Sequence, residues 1–201
     1  MKFIFCSACC LLCTLLSGCS SWESRVAAVK MDPETMTKAC MDLVDKDGDG
    51  QLTKEELKVT PGMLSALVDL DRDKDNQLSR EEVFQRFELY VNSRVGLQGV
   101  ACSVTLNGQP LRDAHVDLVP EPYMAEFIEP AAGDVINPNT GAVEISTNPE
   151  LPGVRPGFYR VEITSPTVEI AAKYNEDTIY GIEVAPVQKE NASSHFKVKK
   201  R

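Results

Sequence analysis

Histidine and tryptophan are nearly absent from this chain: two His and one Trp stand among 201 residues, and aromatics make up 6%. Chemistry built on histidine is therefore confined to His115 and His195. His115 and Asp117 lie two apart on an expected strand and share a face, where they could form an acid–base or metal pair. Alternation sets them opposite Val116 and Leu118, on the solvated side, so a plain surface role is expected. His195 is expected to be exposed near the C-terminus. A nucleophile elbow, a phosphate-binding loop and a Cys–His arrangement are also missing, and no catalytic activity is expected.

Cysteine is scarce where a fold would use it. Of seven, Cys6, Cys9, Cys10, Cys13 and Cys19 crowd the first nineteen residues, leaving Cys40 and Cys102 in the body. That distribution excludes a disulfide framework; two buried thiols are expected, with pairing between them left open by spacing alone. Basic charge is lacking too, since 30 Asp and Glu against 21 Lys and Arg leave a net charge of −9. Nucleic acid is thereby excluded as a default partner. Residues 32–82 hold fourteen of the acids against seven Lys and Arg, a local net of −7.

Long hydrophobic runs are missing as well. The apolar run 3–16 has fourteen residues, short of the ~20 a helix needs to span a bilayer. A basic Lys2 ahead of a short apolar core fits a secretory signal peptide. The run ends in Leu16-Ser17-Gly18-Cys19, which resembles the lipobox of bacterial lipoproteins. The resemblance implies cleavage before Cys19, lipid attachment on its sulfur, and an extracytoplasmic protein anchored to a bacterial membrane. Ser20 after the cysteine points to the outer membrane, on its periplasmic or surface side. Residues 19–31 then read as a lipidated tether, with Trp22 either at the lipid interface or exposed in the linker.

What the chain has in abundance is one twelve-residue pattern written twice, DKDGDGQLTKEE at 45–56 and DRDKDNQLSREE at 71–82. The first places oxygens at Asp45, Asp47, Asp49, Gln51 (backbone carbonyl), Thr53 and Glu56. The second offers Asp71, Asp73, Asp75, Gln77 (carbonyl), Ser79 and Glu82. Ca²⁺ is a hard cation that takes 6–8 oxygens, and this alternation turns several carboxylates inward on one tight loop. Gly50 in sixth place permits the positive φ of the sharp turn. These residues resemble the EF-hand calcium loop, and the first copy matches at every ligand position. The second departs at Asn76, where Gly is expected; Asn tolerates the left-handed region at some cost. The resemblance implies a short β-bridge between Leu52 and Leu78.

Helical periodicity surrounds both loops. Asp32-Pro33-Glu34 opens a helix with apolar positions Met36, Ala39, Cys40, Leu43 and Val44. Thr60-Pro61 opens a second with Met63, Leu64, Leu67, Val68 and Leu70. A third, from about 80 to 92, shows Val83, Phe84, Phe87, Tyr90 and Val91. These stripes read as core, although Met36, Met41 and Met63 could instead line a target groove.

Beyond Gly96 and Gly99 the period becomes two. Val100, Cys102, Val104 and Leu106 alternate ahead of an Asn107-Gly108 hairpin. Ala114, Val116 and Leu118 carry the next strand, 121–140 reads as a long loop, and further strands are expected at 142–147, 158–163, 180–184 and 195–199. The stretches GVACSVTLNGQPLRDAHVDLVP at 99–120, PGFYRVEIT at 156–164 and AAKYN at 171–175 resemble the carboxypeptidase-regulatory-like, or transthyretin-like, sandwich. The hydroxyisourate-hydrolysing relative of that sandwich ends in Tyr-Arg-Gly-Ser; this chain ends in Lys197-Val198-Lys199-Lys200-Arg201, which argues against that activity. The basic tail could touch anionic lipid headgroups, and Tyr123, Phe127, Tyr174 and Tyr180 are candidate sugar-stacking rings.

The expected fold is thus two-domain, α plus β. It comprises a signal peptide at 1–18, the tether at 19–31, an EF-hand pair at 32–93 and a seven-stranded all-β transthyretin-like sandwich at 99–201. The expected function is calcium binding in a membrane-anchored lipoprotein with a structural or scaffolding role. The alternative is a calcium-dependent binding module for an envelope partner protein or glycan.

Overall fold

The computed structural model describes residues 30–150, 152–186 and 194–201. The expected signal peptide, Cys19, Trp22 and the tether up to residue 29 lie outside the described residues. Helix α1 (Pro33–Val44) begins after N-cap Asp32 with proline in its first turn, and Met36, Cys40, Met41 and Val44 are buried along one side. After the first acidic loop, β1 (Gln51–Leu52) is followed by a single 3₁₀ turn, Glu56–Val59. Helix α2 (Pro61–Leu70) buries Met63, Ala66, Leu67 and Leu70. Val68, expected inside, is 88% exposed: at 100° per residue the stripe through 63, 66, 67 and 70 leaves it facing outward. Beyond the second loop and β2 (Leu78–Ser79), α3 (Arg80–Ser93) opens with a complete capping box between Ser79 and Glu82.

Eight strands follow: β3 (Val100–Leu106), β4 (Gln109–Pro110), β5 (His115–Pro120), β6 (Ala131–Asn137), β7 (Ala142–Ile145), β8 (Gly157–Thr164), β9 (Gly181–Val184) and β10 (Ser194–Val198). They make one eight-stranded sheet in the order β10-β3-β7-β6-β5-β8-β9, with β4 hairpinned onto β3. Asn107 and Gly108 have φ of 50° and 82° in that hairpin, the left-handed pair that Asn-Gly favours. All pairings are antiparallel except β10 beside β3.

Two corrections to the sequence reading meet at β6. Seven strands were expected and eight are present among the described residues, and β6 runs through the stretch 121–140 that reads as loop. Its sequence, AAGDVIN, has little β-branched or aromatic content and lies between Pro130 and Pro138, so propensity conceals it. Tertiary pairing makes the strand. Its first half pairs with β5 and its second half, across a register shift between Val135 and Asn137, pairs with β7. A strand shared in this way curls the sheet. The curl brings its two ends together: the Tyr180 hydroxyl donates to the Lys197 carbonyl at 2.7 Å, and the Tyr180 ring packs on Phe196 with centroids 5.2 Å apart.

Helices α2 and α3 lie against β8 and β9 while α1 packs on α3, and a single cluster of buried side chains runs from Met36 through Phe87 and Phe158 to Val198. Phe158 and Tyr159, successive residues on β8, are both fully buried. Alternation points them to opposite faces, so β8 is covered on both sides. Phe158 meets Phe87 and Tyr90 edge-on, with centroids 6.1 and 5.8 Å apart. Cys40 lies in the helical part of this core and Cys102 on β3; both are free, buried thiols.

Candidate metal centre

The two acidic loops have the same backbone architecture. In the first, the Asp45 carboxylate accepts from the N–H groups of Gly48 (2.7 Å) and Gly50 (3.1 Å). In the second, Asp71 accepts from those of Lys74 (2.6 Å) and Asn76 (2.9 Å). Asp47 and Asp73 each accept from the N–H two residues on, as do Asp49 and Asp75. These bonds curl each loop around its own carboxylates.

The turn residues sit in the left-handed region in both loops. Gly48 and Gly50 have φ of 76° and 83°; Lys74 and Asn76, at the equivalent places, have 65° and 68°. Asn76 was legible in the sequence as a departure. Lys74 is a second one that sequence reasoning missed, because the fourth position of the pattern carries no ligand.

The closing glutamates are held alike. Glu56 Oε1 accepts from Lys46 N–H at 2.8 Å, and Oε2 from Thr53 N–H at 2.9 Å and the Thr53 hydroxyl at 2.7 Å. Glu82 Oε1 accepts from Arg72 N–H at 2.7 Å, and Oε2 from Ser79 N–H at 2.9 Å and the Ser79 hydroxyl at 2.8 Å. The Thr53 N–H and hydroxyl and the Lys46 N–H lower the pKa of Glu56 below the usual carboxylate range. For Glu82, burial pushes the pKa up, but the bonds from Arg72 and Ser79 outweigh it and the net direction is down.

β1 and β2 pair as Leu52 with Leu78 and Gln51 with Ser79, tying the loops back to back. Lys54 adds a bond from its Nζ to Asn76 Oδ1 at 3.1 Å. The β-bridge expected at Leu52 and Leu78 is therefore present, and both leucines are fully buried.

The arrangement draws ligand-capable oxygens together. Those of Asp45, Asp47 and Asp49 lie within 4.8 Å of one another, as do those of Asp71, Asp73 and Glu82. Glu56 is tied to the start of the first loop by the Lys46 N–H and bonds to Thr53, and Ser79 adjoins the second group through Glu82. Asp75 contributes to its loop through the Gln77 N–H. Three carboxylates this close repel one another unless a cation sits among them, and an all-oxygen donor set suits a hard divalent ion. The residues present fit calcium.

Other expected candidates come out differently. His115 Nδ1 meets Asp134 Oδ1 at 2.7 Å while its Nε2 meets Asp117 Oδ1 at 3.3 Å. The two ring nitrogens thus serve different carboxylates on opposite sides, which gives no shared point for a metal. Asp134, a residue the sequence reading did not single out, raises the His115 pKa through that bond. His195 is exposed and bonds to the Ser103 hydroxyl. Met36, Met41 and Met63 are buried in the core, with Met63 Sδ 3.9 Å from Cys40 Sγ. Tyr123 is no sugar platform: its ring is buried beside Phe87 and its hydroxyl meets Thr60 Oγ1 at 2.8 Å. Tyr174 stacks on Tyr180 at 5.4 Å, and Phe127 packs partly buried against the core.

A family model described as an EF hand matches residues 37–59, which run from the second turn of α1 through the first loop to the end of the 3₁₀ turn. Neither the curated proteins nor the solved structures yield a match. The helical part therefore contains an EF-hand, and the acidic cluster in its loop points to calcium.

Proposed function

We propose that this chain is a calcium-binding, extracytoplasmic lipoprotein, anchored through Cys19 to a bacterial outer membrane, in which calcium has a structural role. The observation that carries the reading is the pair of acidic loops of one pattern, each with three ligand oxygens within 4.8 Å, joined by the Leu52–Leu78 bridge. The ligands of the first site are Asp45, Asp47, Asp49, the Gln51 carbonyl, Thr53 and Glu56. Those of the second are Asp71, Asp73, Asp75, the Gln77 carbonyl, Ser79 and Glu82. Extracellular EF-type sites work at about 10⁻⁴–10⁻³ M, which suits lasting occupancy outside the cell. Anchorage rests on the Leu16-Ser17-Gly18-Cys19 sequence, and among the described residues no helix is long and apolar enough to cross a membrane. The transthyretin-like reading of 99–201 belongs to the same proposal, with scaffolding rather than catalysis as its role.

Calcium titration of the chain from Ser20 onward tests the central claim. Two bound ions are expected, and one after Glu56→Gln. An unchanged stoichiometry in that variant would overturn the ligand assignment. Loss of labelled fatty acid on Cys19→Ala is the parallel check on the anchor.

A further inference from the structure

The helices on either side of the second loop both grip the sheet. α2, which enters the loop, is held at its first turn. The Gly62 N–H donates at 2.8 Å to Glu121, a fully buried carboxylate at the end of β5. Beside it, the helix meets β9 and β8 backbone to backbone: a Cβ on Gly181 would lie 2.1 Å from Gly62 N, and one on Gly62 would lie 2.7 Å from Tyr159 N on β8. α3, which leaves the loop, carries the closing Glu82 and then, at successive four-residue steps on the same face, Arg86 and Tyr90. Both reach Glu183 on β9. Arg86 donates through Nε at 2.5 Å and Nη2 at 2.6 Å, and the Tyr90 hydroxyl donates at 2.5 Å. The Glu183 side chain is 7% exposed. Helix α1, by contrast, packs on α3.

The apolar surface between these helices is likewise filled from within the chain. Phe87 packs on Tyr123 and Phe158, and Tyr90 on Phe158. In calcium sensors, the ion acts on the angle between the helices flanking a loop, and that change uncovers an apolar groove for a partner. Here the same angle is gripped by β8 and β9. We propose that calcium in the second loop and the closed helix–sheet junction are coupled, the curled sheet serving as the built-in target of its own EF-hand pair. The coupling rests on the calcium reading above. By linkage it acts in both directions: the junction tightens calcium in the second loop, and calcium there tightens the junction.

Hydrogen exchange of the β9 amides, Gly181–Val184, with and without millimolar calcium reads one direction. Calcium is expected to slow exchange about fivefold or more in the parent chain and in Glu56→Gln, but not in Glu82→Gln. Asp73→Asn replaces the last variant if loss of the α3 cap disturbs the helix. The other direction is read by calcium titration in a Glu56→Gln background, where adding Glu183→Gln should weaken the remaining site about fivefold or more. Calcium bound at the second loop with β9 exchange unchanged, or slowed equally in Glu82→Gln, would overturn the coupling. If calcium fills the first loop alone, the coupling falls with the second-site assignment and the first site stands; if neither loop binds, the whole calcium reading falls. Should Glu183→Gln not fold, the exchange comparison decides.

Discussion

Lys74 and Asn76 hold the second loop in a conformation that Gly48 and Gly50 adopt freely in the first. A non-glycine residue in the left-handed region costs roughly 1–2 kcal/mol, and Lys74 also sets a positive charge in a loop meant for a cation. Lys74→Gly should therefore tighten calcium at the second loop by about 1 kcal/mol, or roughly fivefold, in a titration on the Glu56→Gln background. Glu121 is the other residue whose setting decides its behaviour. Burial pushes its pKa up from 4.5 to about 7, against the opposing pull of the Gly62 N–H, Arg160 and the Thr60 hydroxyl. A carboxyl raised in the folded state binds more protons folded than unfolded, so stability falls as pH rises from about 4.5 to about 7. Below that window both states are protonated; above it the full penalty of a buried charge persists. Glu121→Gln keeps an acceptor for Gly62 and removes the charge. Its melting temperature should exceed the parent's at pH 8 by the equivalent of about 3 kcal/mol, with the gap closing near pH 4.

The elements meet where side chains are smallest. Gly62 on α2 and Gly181 on β9 let a helix and a strand touch through their backbones, and a Cβ at residue 181 would collide with Gly62 N and with Pro61. Gly181→Ala should thus push α2 off the sheet and cost at least about 1–3 kcal/mol, seen as a lowered denaturation midpoint. The β1–β2 bridge is the smallest element and joins both loops. Leu52→Ala opens a cavity beneath it and should cost about 2–5 kcal/mol, and both calcium sites should weaken together in a titration. Weakening of one site alone would show that the bridge does not transmit between them. Alternation and turn chemistry made most strands legible: Val100 to Leu106 with its Asn-Gly turn, and Phe158 to Ile163, lie where the pattern puts them. β6 was hidden because its residues favour no strand until β5 and β7 flank them.

At the scale of the whole molecule, one buried cluster joins helices and sheet. Thermal unfolding is expected to show a single transition, raised by calcium by RT ln(1 + [L]/Kd), about 1.4 kcal/mol at tenfold excess over Kd. Two transitions, with calcium moving the first alone, would show the helical unit to be independent of the sheet. The loops, their ligand spacing, the helix starts at Pro33 and Pro61 and the change of period near Gly99 were determined by the sequence alone. Each depends on residues within a dozen positions of one another, where spacing is geometry. The tertiary structure alone decided the curl of the sheet, the burial of Glu121 against Gly62 and the grip of Arg86 and Tyr90 on Glu183. Those partners stand 59, 97 and 93 residues apart. Contacts at such separations depend on how layers pack, and no local period records them.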